Sequence, residues 1–282
     1  MIRKHANHNW PFEGEAPKLS REIEEEGHGM LRGLYSPDAI KSLRDAVLEV
    51  YDRYPPDRRA GCLDDERAVM FRYEMFNRSA ACQEAIAHPE ILRTIEPLLG
   101  DDCHVVACTA WRNPADPASA PRGQQWHVDG GPHVVRPPGT KWPSDIPYPI
   151  FVIAVQIYLD DCRLEDGPTA AIPGSHKSGC LPPYERMWDL DLEYEGRGGV
   201  PHVATAGDVG FVVSDAWHRR MPPTDAGTGR FFLQINYGRR EIAQRIRPTS
   251  EFHATSEEAR SRAKTERERQ LIGLHDPCFY DG

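Results

Sequence analysis

His127-Val128-Asp129 sets an imidazole and a carboxylate two residues apart. On a β-strand, residues i and i+2 point to the same face, so both side chains can reach one metal ion. With 12 His in 282 residues, about one such triplet is expected by chance, so the pair by itself carries little. Its surroundings carry more. Trp126-His127-Val128-Asp129 follows a Pro-rich stretch and runs into Gly130-Gly131. About ninety residues later comes Gly207-Asp208-Val209-Gly210-Phe211-Val212-Val213, then Ser214-Asp215-Ala216-Trp217-His218. This reads as a tight turn, a strand, and a histidine opening the next strand. Arg230 then opens the run RFFLQINYG. Two His and one carboxylate can hold one face of Fe(II), leaving three positions for a bidentate co-substrate and dioxygen. An arginine on a neighbouring strand offers a planar, permanently charged fork to the far end of a dicarboxylate. A cupin-like metal-binding isomerase or binding protein that does not activate oxygen would keep the two His and the carboxylate, but would not need Arg230.

The elements that must position these residues fall into two kinds. Ser36-Pro37-Asp38 is a helix start, with a capping hydroxyl, a proline suited to the first turn and an acid that complements the dipole. Ile40, Leu43, Val47, Val50, Tyr51 and Tyr54 follow at helical spacing, and Pro55-Pro56 ends the run. A second helical region spans Ser79 to Leu99, restarting at Pro89 and stopping at Gly100. From Cys103 the period shortens. The runs CHVVACTAW, QQWHV, PIFVIAVQIYL, TAAI, HVAT, VGFVV and RFFLQINYG predict short strands joined by Pro/Gly-rich connections. The expected fold is mainly β with flanking helices, a sandwich or barrel of the jelly-roll kind. The chain is expected to form one domain over 1–282: a polar arm (1–26), helical support (27–102), a β core (103–238) and a charged tail (239–282). Two connections are long for a compact fold, Gly130–Tyr148 and Gly179–Gly199, and suit active-site lids. Their mixed aromatics and cations, such as Lys141, Trp142, Tyr184 and Arg186, suit a mainly apolar ligand that carries an anion. The Glu- and Arg-dense stretch from Glu251 to Gln270 reads as an exposed helix or a homo-oligomer contact.

Composition narrows the class. The net charge of −9 argues against nucleic-acid or anionic-membrane partners and leaves a small molecule as the expected ligand. The longest apolar stretch, Ile150 to Leu159, is about half of what a bilayer needs. The first fifteen residues lack the apolar core of a signal peptide. Seven Cys without a CxxC pair are neither a disulfide framework nor a zinc finger and point to a reducing cytoplasm. The 25 Pro and 23 Gly mark a chain that turns often, which favours β architecture over a helical bundle.

On the segments GHGMLRGLYSPDAIKSLRDAV, QQWHVDGG, IYLDDCRLEDGPTAAIPGSHKSG, GDVGFVVSDAWH and GRFFLQINYG, the chain resembles the phytanoyl-CoA dioxygenase family of Fe(II)/2-oxoglutarate-dependent oxygenases. That family folds as a double-stranded β-helix, the cupin-like jelly roll. The resemblance covers about Gly27 to Gly238. It implies that His127, Asp129 and His218 are the iron ligands and that Arg230 pairs with the C5 carboxylate of 2-oxoglutarate. Gln125 and Thr169 match residues that contact the co-substrate in some members. Thr109 and Gln156 are further candidates, each on a core strand able to face the pocket. The PGSH loop is diagnostic of the family, but its His176 is structural rather than a ligand. Related halogenases carry a small residue where this chain has Asp129, so hydroxylation or a similar oxidation is implied. 2-Oxoglutarate would be decarboxylated to succinate as dioxygen is consumed. Arg219 and Arg220 depart from the pattern, in which a small residue such as Ser commonly stands two after the last His.

Overall fold

The computed structural model describes residues 17–55, 71–114, 122–244 and 255–275. Helices come first. α1 (Lys18–Glu26) leads into strand β1 (His28–Leu31) and α2 (Pro37–Arg53). The Ser36 hydroxyl accepts from the Ala39 N–H at 3.3 Å, and Ile40, Leu43, Val47 and Val50 form the buried face of α2. After β2 (Phe71–Arg72) come α3 (Met75–Arg78), α4 (Ala80–Ile86) and α5 (Pro89–Leu99), the last two capped by Ser79 and His88. The remaining strands are β3 (His104–Asn113), β4 (Val152–Tyr158), β5 (Thr169–Ala171), β6 (Glu193–Tyr194), β7 (Arg197–Gly198), β8 (Val200–Pro201), β9 (Val209–Val213), β10 (His218–Arg220) and β11 (Arg230–Gly238). The chain closes with α6 (Glu257–Arg262) and α7 (Glu266–Leu271).

All strand pairings among the described residues are antiparallel. A six-stranded sheet runs β1-β9-β4-β11-β3-β2 and a smaller one β10-β5-β8, as in a jelly roll. Alternation along β11 gives the large sheet two unlike faces. Phe231, Leu233, Ile235 and Tyr237 pack with the helices in the main apolar core, joined there by Cys108 and Ala110 of β3 and by Val155 and Ile157 of β4. Arg230, Phe232, Gln234 and Asn236 point the other way, into a cavity.

Two of the expected strands do not form. QQWHV makes a single bridge, His127 to His218, because the Trp126 N–H goes to the Met187 carbonyl and the Asp129 N–H to Ser214, rather than to one neighbouring strand. HVAT is likewise reduced to one bridge, Ala204 to Cys162, with β8 placed just before it. Strand propensity reports a side chain that fits a pleated surface; the partner that would complete the ladder is a tertiary matter. The tail also differs from expectation. Ala259, Leu271 and Ile272 are fully buried in the main core, and Arg262 donates to Gln83 Oε1 and the Phe76 carbonyl, each at 2.6 Å. The high charge of the segment conceals three apolar anchors. No helix among the described residues is long and apolar enough to cross a membrane.

The PGSH loop is a structural knot. His176 is fully buried, donates through Nε2 to the Glu24 carbonyl at 3.0 Å and meets Tyr148 edge-on at 5.2 Å. Its ring lies so close to Gly27, which ends α1 at φ 79°, that a Cβ there would come 2.5 Å from His176 Nδ1. His28 and His202 form a second buried pair, with Nδ1 and Nε2 3.1 Å apart.

Two stability outcomes follow. Leu271→Ala should lower the unfolding free energy by about 2–5 kcal/mol in equilibrium urea denaturation; a change below about 0.5 kcal/mol would mean that the tail is undocked in solution. Burial holds His28, His176 and His202 neutral, with pKa values pushed down to about 4, about 3 and about 3. The unfolded chain takes up protons at these histidines near pH 6.5, before the folded chain does, so stability is present above about 6.5 and is lost as pH falls toward about 4 for His28 and about 3 for His176 and His202. Each histidine contributes a slope of at most about 1.4 kcal/mol per pH unit. Denaturation curves for His176→Gln should show a shallower loss than wild type across that window, and an unchanged slope would remove His176 from the account.

Candidate metal centre

One antiparallel bridge creates the site. His127 N–H donates to the His218 carbonyl at 2.9 Å, and His218 N–H returns the bond to the His127 carbonyl at 3.0 Å. The pairing brings the two rings to a centroid distance of 4.3 Å. Each Nδ1 lies against the backbone carbonyl two residues earlier, Gln125 at 2.8 Å and Ala216 at 2.9 Å. A carbonyl only accepts, so both Nδ1 atoms carry the hydrogen and both Nε2 atoms keep their lone pairs. Those lone pairs face Asp129, with His127 Nε2 3.9 Å from Oδ1 and His218 Nε2 3.7 Å from Oδ2. Gly130 and Gly131 follow at φ 85° and 84°, a left-handed turn that carries the chain away immediately after the carboxylate. Among the described residues, this is the one group of His, Cys, Asp and Glu whose ligand atoms all lie within 4.8 Å of one another. Two neutral imidazoles and a carboxylate, close on one side and open on the other, fit a ferrous ion that keeps exchangeable positions.

The open side faces a cavity of about 200 Å³ between the two sheets. It brings together His127, Asp129, His218, Arg230, Thr169, Thr109 and Gln156. Gln125 is elsewhere: it is exposed, and Gln124 lines the cavity instead. Because the segment is not a regular strand, the two-residue alternation that would place Gln125 beside His127 does not apply. Its backbone carbonyl orients the His127 ring, but its side chain takes no part in the cavity.

The far wall is cationic. Arg230 is 5% exposed and donates from Nε to Asn113 Oδ1 at 2.7 Å and from Nη1 to Thr169 Oγ1 at 3.0 Å. Its guanidinium also lies over the Phe232 ring at 5.1 Å. No carboxylate of the described residues forms an ion pair with it. Burial, and then the neighbouring Arg220, push its pKa down to about 9, which is the signature of a charged group without a counter-ion. The floor is an amide row: Thr109, Gln234 and Gln156 lie opposite one another on β3, β11 and β4, and Gln156 Nε2 donates to Gln234 Oε1 at 3.3 Å.

Sequence reasoning passed over Gln234, Asn236 and Asn113. The first two were within reach, because counting by twos from Arg230 along RFFLQINYG puts polar side chains on its face. It also passed over Asp215. Burial alone would raise the Asp215 pKa, but hydrogen bonds from His133 and Tyr148 outweigh it and hold the carboxyl below its usual range. His133 Nδ1 reaches Oδ1 at 2.5 Å and the Tyr148 hydroxyl reaches Oδ2 at 2.5 Å, pinning the Gly130–Tyr148 loop to the turn before His218. That loop and the Gly179–Gly199 loop do not line the cavity. Trp142 and Tyr148 line, with Tyr194 and α1, a separate groove of about 690 Å³.

Residues 23–220 match the phytanoyl-CoA dioxygenase (PhyH) family profile. No curated protein matches the chain by sequence. Among solved structures, the non-heme alpha-ketoglutarate-dependent carbocyclase SnoK from nogalamycin biosynthesis aligns with a TM-score of 0.58 at 17% identity, over 88% of this chain and 90% of that one. HygX from Streptomyces hygroscopicus, solved with nickel and 2-oxoglutarate bound, aligns at 0.59 and 13% identity over 82% and 89%. The epimerase SnoN, in complex with Fe3+ and alpha-ketoglutarate, aligns at 0.61 and 15% identity over 80% and 84%. These likenesses show a shared double-stranded β-helix fold. With the profile spanning most of the sequence, the chain belongs to the phytanoyl-CoA dioxygenase family.

Proposed function

We propose that this chain is an Fe(II)- and 2-oxoglutarate-dependent oxygenase that oxidises an unactivated C–H bond of a small organic molecule, with hydroxylation as the outcome. One observation carries the reading: two imidazole lone pairs and a carboxylate converge at the mouth of a cavity whose opposite wall holds a buried guanidinium without a carboxylate partner among the described residues. His127, Asp129 and His218 would hold the iron. When bound, the ferrous ion couples decarboxylation of 2-oxoglutarate to reduction of dioxygen and so supplies the oxidant.

The rest is the work of the chain. Arg230 binds the distal carboxylate of the co-substrate and, with the Thr169 hydroxyl beside it, sets how far the keto-acid end reaches toward the triad. The backbone carbonyls of Gln125 and Ala216 keep both Nδ1 atoms protonated, so that the Nε2 lone pairs face Asp129. Thr109, Gln156 and Gln234 offer donors and acceptors that orient a ligand on the cavity floor, and the sheets on either side limit water. We take residues 1–282 as one catalytic domain; the continuous core from Ile23 to Ile272 supports this. Cytoplasmic action belongs to the same proposal, supported by free thiols at Cys82, Cys103, Cys108, Cys162 and Cys180.

Anaerobic addition of Fe(II) and 2-oxoglutarate should produce a visible charge-transfer band. His127→Ala and Asp129→Ala should abolish it while leaving the melting curve cooperative. Arg230→Ala should raise the 2-oxoglutarate concentration for half-maximal band intensity by about 30-fold or more, the cost of removing one partner of a buried charged contact. If the wild-type protein shows no band, the cupin-like isomerase or binding-protein reading replaces this one.

A further inference from the structure

Three consecutive residues of β10 have different fates. All three border the cavity, with His218 and Arg220, two apart, on the same face of the strand. Arg219, between them, lies over the Trp126 ring at 5.4 Å, and its guanidinium is satisfied by the carbonyls of Arg122 at 2.6 Å and Trp188 at 3.3 Å. Arg220 is not satisfied in this way. It is 6% exposed, its Nε has no hydrogen-bond partner, and its Nη2 reaches only the Pro114 carbonyl, at 3.4 Å. Neither Arg220 nor Arg230 forms an ion pair with a carboxylate of the described residues. Arg220 stands opposite Thr169 in the β10–β5 register, and the Thr169 hydroxyl accepts from Arg230. Two buried guanidiniums therefore flank one residue at the end of the cavity, supported only by neutral acceptors. Buried cations left in this state are costly, and an anion between them removes the cost.

We propose that Arg220 and Arg230 form a two-guanidinium clamp on the distal carboxylate of the co-substrate, and that Arg220 sets a strong preference for dicarboxylate over monocarboxylate keto acids. The inference rests on the co-substrate reading above. A carboxylate has two oxygens and about four lone-pair sites, enough for a paired contact from one guanidinium and a further bond from the other.

The test is calorimetric titration of the Mn(II)-loaded protein, in which no turnover occurs, with 2-oxoglutarate and with 2-oxobutyrate, which has the same keto-acid head but no distal carboxylate. Arg220→Ser should weaken 2-oxoglutarate binding about tenfold or more and leave 2-oxobutyrate binding unchanged. Arg220→Gln, which keeps most of the volume, should do the same and covers the case in which the serine variant does not fold. If 2-oxoglutarate affinity is unchanged, or if both ligands weaken equally, Arg220 is not on the distal carboxylate and the clamp is overturned while the co-substrate reading stands. If wild type binds 2-oxoglutarate no better than 2-oxobutyrate, Arg230 has no distal carboxylate to hold, and both inferences fall.

Discussion

The two reciprocal backbone hydrogen bonds between His127 and His218 are the contact on which the site depends. They join a segment that is otherwise irregular to the edge of the small sheet, and they set the separation of the two rings. Because each ring is also tied through Nδ1 to its own backbone, the bridge fixes tautomer and direction as well as distance. Asp129 completes the group from a backbone held separately, its N–H donating to the Ser214 carbonyl at 3.0 Å. Preorganisation of this kind lets a metal bind without an additional ordering cost.

Around that bridge the fold separates two environments. One face of the large sheet is apolar and packed against helices; the other presents Arg230, Gln234, Gln156 and Thr109 to the cavity. The same strands serve both, because alternate residues point opposite ways. Uncompensated positive charge inside the cavity has to be stabilised by the apolar packing on the other face, including the docked C-terminal helices. Buried guanidiniums without a carboxylate partner among the described residues carry a cost to stability.

How much was legible in the residue order differs from residue to residue. The convergence of His127, Asp129 and His218 could be anticipated because a short spacing, a glycine pair and the DVGFVV-turn-His pattern are local features. The helix opened by Ser36 was legible for the same reason. Gln125 was misplaced because its argument assumed a regular strand, whereas the N–H groups of the segment go to separate loops. The Gly130–Tyr148 loop was read as a lid from length and aromatic content. It is instead held down by Asp215, a contact between residues far apart in the chain. The tail looked solvated because Ala259, Leu271 and Ile272 are few among many charges, and composition averages them away.

From the order of residues one can read the family, the β-rich class, the candidate metal ligands and the arginine that follows them. All of these are carried by short motifs that can be read one segment at a time. The fold alone decides what surrounds Arg230, that Arg220 shares its wall without a carboxylate among the described residues, and which loops stay out of the cavity lining. Those outcomes depend on pairings between distant strands, where hydrogen bonding and desolvation act across the sheet and leave no local trace.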